Sequence, residues 1–254
     1  MPVGAACYNA AMEIRKQPML TSKTSASPAA EGRPAIRTRG TMARGLSLLA
    51  LALLLAGLAL LAVHLLRPAP LPYEPVDPAV LQAALEASGT LSAERRTVVD
   101  AALSLVGQVH YFWGGKSGTI GFDPGWGEMA VVEAAGSETT GTLRPRGLDC
   151  SGYTSWCFIQ TGMTFAEMEA CFGNGTHWQW QKSDPVAWNE LQPGDLLFQH
   201  EPGAGKGNHV GIVVGFTEAG EPLVAHCAAG FDGVVVTGRG DIFRYPRRPR
   251  CYGA

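Results

Sequence analysis

The feature that most constrains this chain is a run of 22 uncharged residues, Gly45–Leu66. About 20 apolar residues in a helix cross the ~30 Å hydrocarbon layer of a membrane. Arg37, Arg39 and Arg44 precede the run and a single Arg67 follows it, a bias that keeps the N-terminus cytoplasmic. No Ala-x-Ala-like cleavage site or lipid-attachment cysteine follows. The run therefore predicts an uncleaved signal-anchor helix at 45–66, with the later residues outside the cytoplasm.

The residues on either side of the run differ in charge and composition. Residues 1–44 hold seven Lys or Arg against two acidic residues and are rich in Ser, Thr, Pro and Ala, which is typical of disorder. Met42, just before the run, is a more natural start for an exported protein, so we hypothesise that translation begins there. Residues 67–78 hold five prolines and predict an extended spacer. The net charge of −2 for the whole chain argues against a nucleic-acid partner.

Residues 79–254 carry the patterns of one folded domain. Helices are expected from Ser92 and from Cys150 to Gly162, and Thr164 with Glu167 forms a capping box that opens a third helix. The segment 117–147 holds seven glycines and predicts a long surface loop. The later segments DLLF, HVGIVVGF, PLVAHCA and GVVVT are short strands separated by Gly-rich turns. Helices followed by a strand meander predict an α+β domain, with the N-terminal helices packed on an antiparallel sheet.

Three residues in this domain have the chemistry of a nucleophile and its base. Cys150 stands at a predicted helix start, where the positive helix end is expected to lower the pKa of its thiol and where free N–H groups can stabilise an oxyanion. His209 and His226 fall on two consecutive strands. A four-residue turn at 217–220 would put 216 opposite 221 and His226 opposite Gly211, so both imidazoles would share one face. Such a pair suits a general base and its orienting partner.

At these motifs the chain resembles the NlpC-type cell-wall cysteine endopeptidases, a papain-like group. The segments YFWGGKS, GLDCSGYTSWCF, LQPGDLLF, NHVGIVVGF and LVAHCAAG occur in the family's order between residues 93 and 237. The resemblance implies Cys150 as nucleophile, His209 as base and His226 as the third polar residue. It also implies substrate binding by Tyr111, Asp149 and Ser151.

The same resemblance implies a hydrolase of peptidoglycan stem peptides, commonly cutting between D-glutamate and a diamino acid, that uses no cofactor. The sequence leaves three alternatives open. A papain-like amidase or acyltransferase would use the same Cys-His-His triad, and a silent wall-binding module would keep the fold without the activity. A zinc-dependent hydrolase could use the same three side chains as ligands, although the chain lacks tight metal-ligand spacing. The oligomeric state is not predicted.

The other cysteines are interpreted from their positions. Cys157 and Cys227 are expected in the core. Cys171 and Cys251 are candidates to pair in an oxidising exterior, although the sequence does not decide the pairing among Cys171, Cys227 and Cys251.

Overall fold

The computed structural model describes residues 39–65, 74–203 and 207–252, without the side chains of 39–48 and 63–65. The chain forms two units, residues 1–67 and residues 68–254. In the first unit one helix, α1, spans Arg39–Leu65. Its start lies inside the segment 1–44 that was predicted to be disordered, so that prediction is wrong for residues 39–44. Residues 1–38 lie outside the described residues.

The predicted membrane span is not confirmed. Within the described part of the chain, no helix combines the length and the apolar character that crossing a membrane requires. The prediction over 45–66 falls partly outside that description, because Leu66 and several side chains at both ends of the run are not described.

The second unit contains five helices and ten strands within its described residues. The helices are α2 (Pro78–Ala87), α3 (Ala93–Ser104), α4 (Cys150–Ile159), α5 (Phe165–Cys171) and α6 (Thr176–Gln181). Short 3₁₀ turns lie at Trp188–Glu190 and Ala229–Phe231. The three predicted helix starts are confirmed: α4 begins at Cys150, Ser92 accepts the Arg95 N–H, and Thr164 and Glu167 form a reciprocal capping box.

Six of the strands form one antiparallel sheet in the order β5-β10-β6-β7-β8-β9. Their bounds are β5 (Ser183–Pro185), β6 (Leu196–Phe198), β7 (Val210–Phe216), β8 (Pro222–Ala228), β9 (Gly233–Gly238) and β10 (Tyr245–Pro249). The helices α2, α3 and α4 pack against β7. The predicted α+β class, with N-terminal helices on an antiparallel sheet, is therefore confirmed.

The remaining strands lie between α3 and α4. The strands β1 (His110–Tyr111) and β4 (Gly147–Leu148) pair in parallel, and β2 (Met129–Val131) pairs with β3 (Leu143–Pro145) as a hairpin. The sequence predicts a loop over the whole segment 117–147, but the structure shows that part of it forms this hairpin. Its exposed apolar residues at 129, 131 and 143 lie in strand positions of the hairpin.

The end of the predicted spacer belongs to the folded unit. The Val76 N–H donates to the Val236 carbonyl at 2.9 Å, and Pro75 bridges Thr237 of the edge strand β9. Asp77 caps α2 by accepting the Ala79 N–H. An edge strand offers unpaired backbone groups, which explains why this stretch docks there rather than standing free. Residues 67–73 of the predicted spacer lie outside the described residues.

Candidate active site

The structure places Cys150 at the first residue of α4, directly after β4. Asp149 is the N-cap, and its Oδ1 accepts the Gly152 N–H at 2.6 Å. Strand β4 and the following cap are held by the loop after β1, since the Asp149 N–H donates to Gly115 O at 3.2 Å. Gly152 lies so close to Gly115 that a Cβ there would overlap the Gly115 carbonyl. The tight passage fixes where the helix begins, and with it the cysteine.

A lysine that the sequence analysis did not single out holds the same cap. Lys116 Nζ donates to Asp149 Oδ1 at 2.6 Å and to Ser151 Oγ at 2.7 Å, and the Ser151 hydroxyl donates to the same carboxylate oxygen at 2.8 Å. Asp149 and Ser151, both predicted to bind substrate, are each less than a tenth exposed. Their side chains are therefore tied to the chain itself around the cysteine.

His209 and His226 come together at the start of β7 and in the middle of β8. His209 Nε2 and His226 Nδ1 are 2.9 Å apart, and the two rings stand nearly perpendicular, with an interplanar angle of 84°. The buried ring of Phe243 packs against both imidazoles. The two rings are therefore fixed by a shared hydrogen bond and a shared apolar neighbour.

Thr237, which sequence reasoning missed, completes this chain of polar groups from β9. Its hydroxyl donates to the Gly238 carbonyl at 2.9 Å, so its lone pair accepts from His226 Nε2 at 3.0 Å. His226 is then protonated on Nε2 and accepts through Nδ1 the proton of His209 Nε2. The network assigns the lone pair of His209 to Nδ1, the nitrogen that a general base would use.

The strand register explains why both histidines share a face. Residues 212 and 213 lie opposite 225 and 224, as predicted, whereas 216 lies opposite 222 rather than 221. An irregularity between 213 and 215 restores the predicted register before the histidines are reached. At Gly211 an added Cβ would lie 2.5 Å from Val224 Cγ1 and 3.0 Å from His226 Cβ. A glycine is needed there because the neighbouring strand approaches so closely.

The electrostatics of Cys150 differ from the prediction. Burial, and then the Asp149 carboxylate, raise the pKa of the Cys150 thiol to about 12, although Lys116 and the backbone N–H groups of Val210 and Ser151 act in the opposite direction. The prediction of a depressed thiol pKa is therefore wrong. The effect of the Val210 N–H on this pKa places the sulfur near the residue that follows His209.

Burial has the opposite effect on the two imidazoles. It lowers the pKa of His209 to about 4, with the Asp149 carboxylate opposing, and it lowers the pKa of His226 well below its usual value. Both histidines are therefore neutral at pH 7. The resting site combines a neutral thiol with a neutral imidazole instead of an ion pair.

Tyr111 lies beside the nucleophile's strand, and two cavities open near it. The β1–β4 register places Tyr111 opposite Leu148, two residues before Cys150. A cavity of about 470 Å³ is lined by Lys116, Arg146 and the aromatic side chains of Trp113 and Trp126, among others. A second cavity of about 380 Å³ is lined by Tyr111 and Trp113 together with the 136–139 turn. The segment 117–147 thus supplies walls to both cavities.

The metal alternative has no support in the described part of the chain. No group of three or more His, Cys, Asp or Glu side chains there is arranged to hold a metal ion. His209 and His226 are hydrogen-bonded to each other, nitrogen to nitrogen, rather than turned toward a common point.

Comparison with known proteins shows similarity to one protein family. Residues 107–226 match the sequence profile of the NlpC/P60 family. A probable endopeptidase of Mycobacterium tuberculosis is 30% identical over 122 residues, which are 48% of this chain and 22% of that protein. A probable endopeptidase p60 of Listeria seeligeri is 39% identical over 71 residues, 28% of this chain and 12% of that protein. The chain thus spans less than a quarter of the length of either relative.

Solved structures are also similar to this chain, at lower sequence identity. The peptidoglycan hydrolase RipB of Mycobacterium tuberculosis is 21% identical, with a TM-score of 0.41 and 68% of each chain covered. RipD of the same organism, described as a non-catalytic NlpC/p60 domain protein adapted to peptidoglycan binding, is 17% identical. Its TM-score is 0.42, with 62% of this chain and 98% of that chain covered.

Proposed function

This protein carries an NlpC/P60 family domain, and we propose that it is a cysteine peptidase that hydrolyses peptide bonds in peptidoglycan stem peptides, at the bond between D-glutamate and a diamino acid. The observation that carries the proposal is the hydrogen-bonded relay from Thr237 through His226 to His209, beside a cysteine at a helix start. A silent binding module needs no ordered relay that leaves one imidazole nitrogen as an acceptor. The substrate is supported by the family alone.

In the proposed mechanism Cys150 attacks the carbonyl carbon of the scissile bond. Because the thiol and the imidazole are both neutral at rest, the thiol proton passes to His209 Nδ1 as the carbon–sulfur bond forms. The N–H groups at the start of α4 stabilise the oxyanion. His209 then gives the proton to the leaving amine, which departs and leaves a thioester. Water activated by His209 hydrolyses the thioester and frees the thiol.

His226 and Thr237 act in this mechanism as positioning residues. They hold His209 in the tautomer that presents a lone pair, and His226 shares the positive charge that forms when His209 takes the proton. Neither reaches solvent, since both are fully buried. Their contribution is therefore to the proton transfer and not to binding.

We propose that the substrate's peptide runs along Tyr111, Asp149 and Ser151 into the cavity lined by Lys116 and Arg146. Lys116 is about a quarter exposed, and Arg146 is exposed, so both cations can meet an anionic group of the peptide. Trp113, which lines both cavities, would separate the two parts of the bound chain. This placement gives the segment 117–147 a role in selecting the substrate.

We further propose that the domain works outside the cytoplasm, attached to the membrane by residues 45–66. The support is the uncharged run with its preceding arginines, and the location of the proposed substrate outside the membrane. No metal or organic cofactor is required by the mechanism.

The test compares the full chain in detergent micelles with its Cys150→Ala variant on purified peptidoglycan, with the soluble fragments identified by mass. Cleaved stem peptides from the parent and none from the variant are expected, and the fragment masses give the bond. Transfer products in place of hydrolysis products would favour the acyltransferase alternative. Binding to peptidoglycan without any cleavage, by both chains, would reject the enzyme and favour a binding module.

A further inference from the structure

Two cysteines outside the active site are brought together by the fold. Cys171 is the last residue of α5 and Cys251 follows β10, 80 positions later in the chain. Lys182 joins the two regions, because its Nζ donates to the carbonyl of Ala170 at 2.5 Å and its own carbonyl accepts the Arg250 N–H at 3.1 Å. The chain neighbours of both cysteines are therefore held by a single lysine.

The side chains also lie near each other, beside Met163 and its cavity. The Cys171 sulfur lies 3.6 Å from the sulfur of Met163, and Met163 and Cys251 line the same cavity of about 300 Å³. Burial, and then the charge and hydrogen bond of the Cys171 thiol, raise the pKa of Cys251 to about 12. Both thiols are free in this structure. Two free thiols that lie near each other in the fold can form a disulfide with small movement.

The surroundings of the pair hold it in place and leave it accessible. Tyr252, next to Cys251, donates from its hydroxyl to the Gly194 carbonyl at 2.9 Å, and the guanidinium of Arg95 lies over its ring. On the other side, Arg250 pairs with Asp184. Cys171 is partly exposed, and the cavity leads to Cys251. A small reagent can therefore reach the sulfurs without unfolding of the domain.

We propose that Cys171 and Cys251 form a disulfide bond in the mature protein, which ties the C-terminal strand β10 to helix α5. The proposal rests on the export of the domain given under the proposed function, since an oxidising compartment is where such a bond persists. The remaining cysteines of the domain have other positions: Cys157 and Cys227 are fully buried, and Cys150 lies in the active site. The bond would thus leave the nucleophile as a thiol.

The bond forms by exchange with an external disulfide, either a small molecule or an oxidoreductase. The more exposed Cys171 loses its proton and attacks one sulfur of that disulfide, which releases the first thiolate. The Cys251 thiolate then attacks the Cys171 sulfur and releases the second. Two protein thiols are oxidised by two electrons, the external disulfide is reduced to two thiols, and the two protons end on those thiols.

The bond would enclose β5 to β10, the whole sheet that carries His209 and His226. A cross-link between residues this far apart removes much of the freedom of the unfolded chain. For a domain of this size we expect the thermal midpoint to rise by on the order of 10 °C.

The test uses the full chain in detergent micelles, incubated with oxidised glutathione and then alkylated without reduction. Digestion with trypsin and a Glu-specific protease isolates Cys171 in the peptide 170–182 and Cys251 in 251–254. We expect these two peptides to appear as one linked mass, and the linkage to vanish after dithiothreitol. Alkyl or glutathione adducts on both cysteines without a linked mass would overturn the proposal.

Thermal melts with and without dithiothreitol measure the consequence in the same preparations. The reductant should lower the midpoint of the parent but leave that of Cys171→Ser or Cys251→Ser unchanged. Cys227→Ser is the matched control, because it replaces a buried cysteine outside the pair and should keep the full reductant effect. The disulfide proposal is contradicted if the reductant no longer lowers the midpoint of Cys227→Ser. It is also contradicted if the reductant still lowers the midpoint of Cys171→Ser or Cys251→Ser. Peptidoglycan cleavage measured in parallel separates the two proposals. A chain that cleaves peptidoglycan but forms no disulfide rejects only the disulfide proposal. A chain that forms the disulfide but cleaves no peptidoglycan rejects only the peptidase proposal.

Discussion

Replacing Thr237 by valine tests the relay without touching the groups that meet the substrate. Thr237 is fully buried, and valine has nearly the same shape but cannot accept from His226 Nε2. The buried Nε2–H would be left unpaired, which costs about 1–3 kcal/mol. His226 avoids this cost by moving its proton to Nδ1, where it donates to His209 Nε2. His209 then carries its own proton on Nδ1 and has no lone pair there for the thiol proton.

The magnitude follows from that cost. Each 1.4 kcal/mol reduces the population of the productive tautomer about tenfold, so kcat should fall by roughly 10- to 100-fold. KM should change little, because Thr237 lies in β9 beneath the histidines and away from both cavities. The free energy of unfolding should fall by less than about 1–3 kcal/mol, because the change of tautomer avoids part of the cost of the unpaired N–H.

The assay is steady-state hydrolysis of a purified stem peptide, combined with urea unfolding of each variant. Thr237→Ser keeps the hydroxyl and should restore kcat to near the parent value. Val236→Ala, a neighbouring buried residue in the same strand, should lose stability but keep kcat. The tautomer argument is refuted if Thr237→Val keeps kcat within about twofold of the parent value. It is also refuted if kcat of Thr237→Ser falls as much as kcat of Thr237→Val.

Three other predictions follow from the same geometry. The base must be neutral, and the pKa of His209 is lowered to about 4, so kcat/KM should stay level from pH 7 to about pH 5 and fall by half near pH 4. A fall of kcat/KM centred near pH 6.5 would contradict the burial argument. The rate of Cys150 alkylation by iodoacetamide, measured against Cys150→Ala, should keep rising above pH 9, because the pKa of the thiol is raised to about 12. Gly211→Ala should lower kcat at least tenfold by displacing His226, whereas Gly238→Ala, where a Cβ meets open space, should keep activity.

Where local signals were strong, the sequence predicted the fold well. The strand β8 has the bounds expected from its segment PLVAHCA, and the capping residues Ser92 and Thr164 begin α3 and α5 as expected. These signals are short in range, since a cap or an alternating apolar strand is defined within a few residues. Helix α6 and strand β10 were missed because the first has a glycine as its cap and the second consists of YPRRP. Trp178 and Trp180, whose role the sequence leaves undecided, lie in α6.

The parts of the site that were missed depend on contacts between distant segments. Lys116 meets Asp149 across 33 positions, and the chain between them is the segment 117–147, which the sequence predicts to be a loop. Thr237 meets His226 only because β9 pairs with β8, and its hydroxyl is one polar group in a strand of valines. That isolated threonine among buried residues was the one available signal. The candidate residues Cys150, His209 and His226 could be predicted from the sequence, because they lie in the motifs and because the strand register puts the two histidines on one face.

The error in the thiol pKa has a physical cause that also bears on function. A helix N-terminus stabilises a negative charge by at most about 2 kcal/mol. A rise of the Cys150 pKa from 9.0 to about 12 corresponds to about 4 kcal/mol in the opposite direction, so burial beside the Asp149 carboxylate outweighs the helix end. A buried neutral thiol resists oxidation and alkylation, because the thiolate is the reactive form. In the proposed mechanism activation therefore depends on the proton acceptor, and for this reason we expect the ordered relay behind His209 to matter more than the position of the cysteine on its helix.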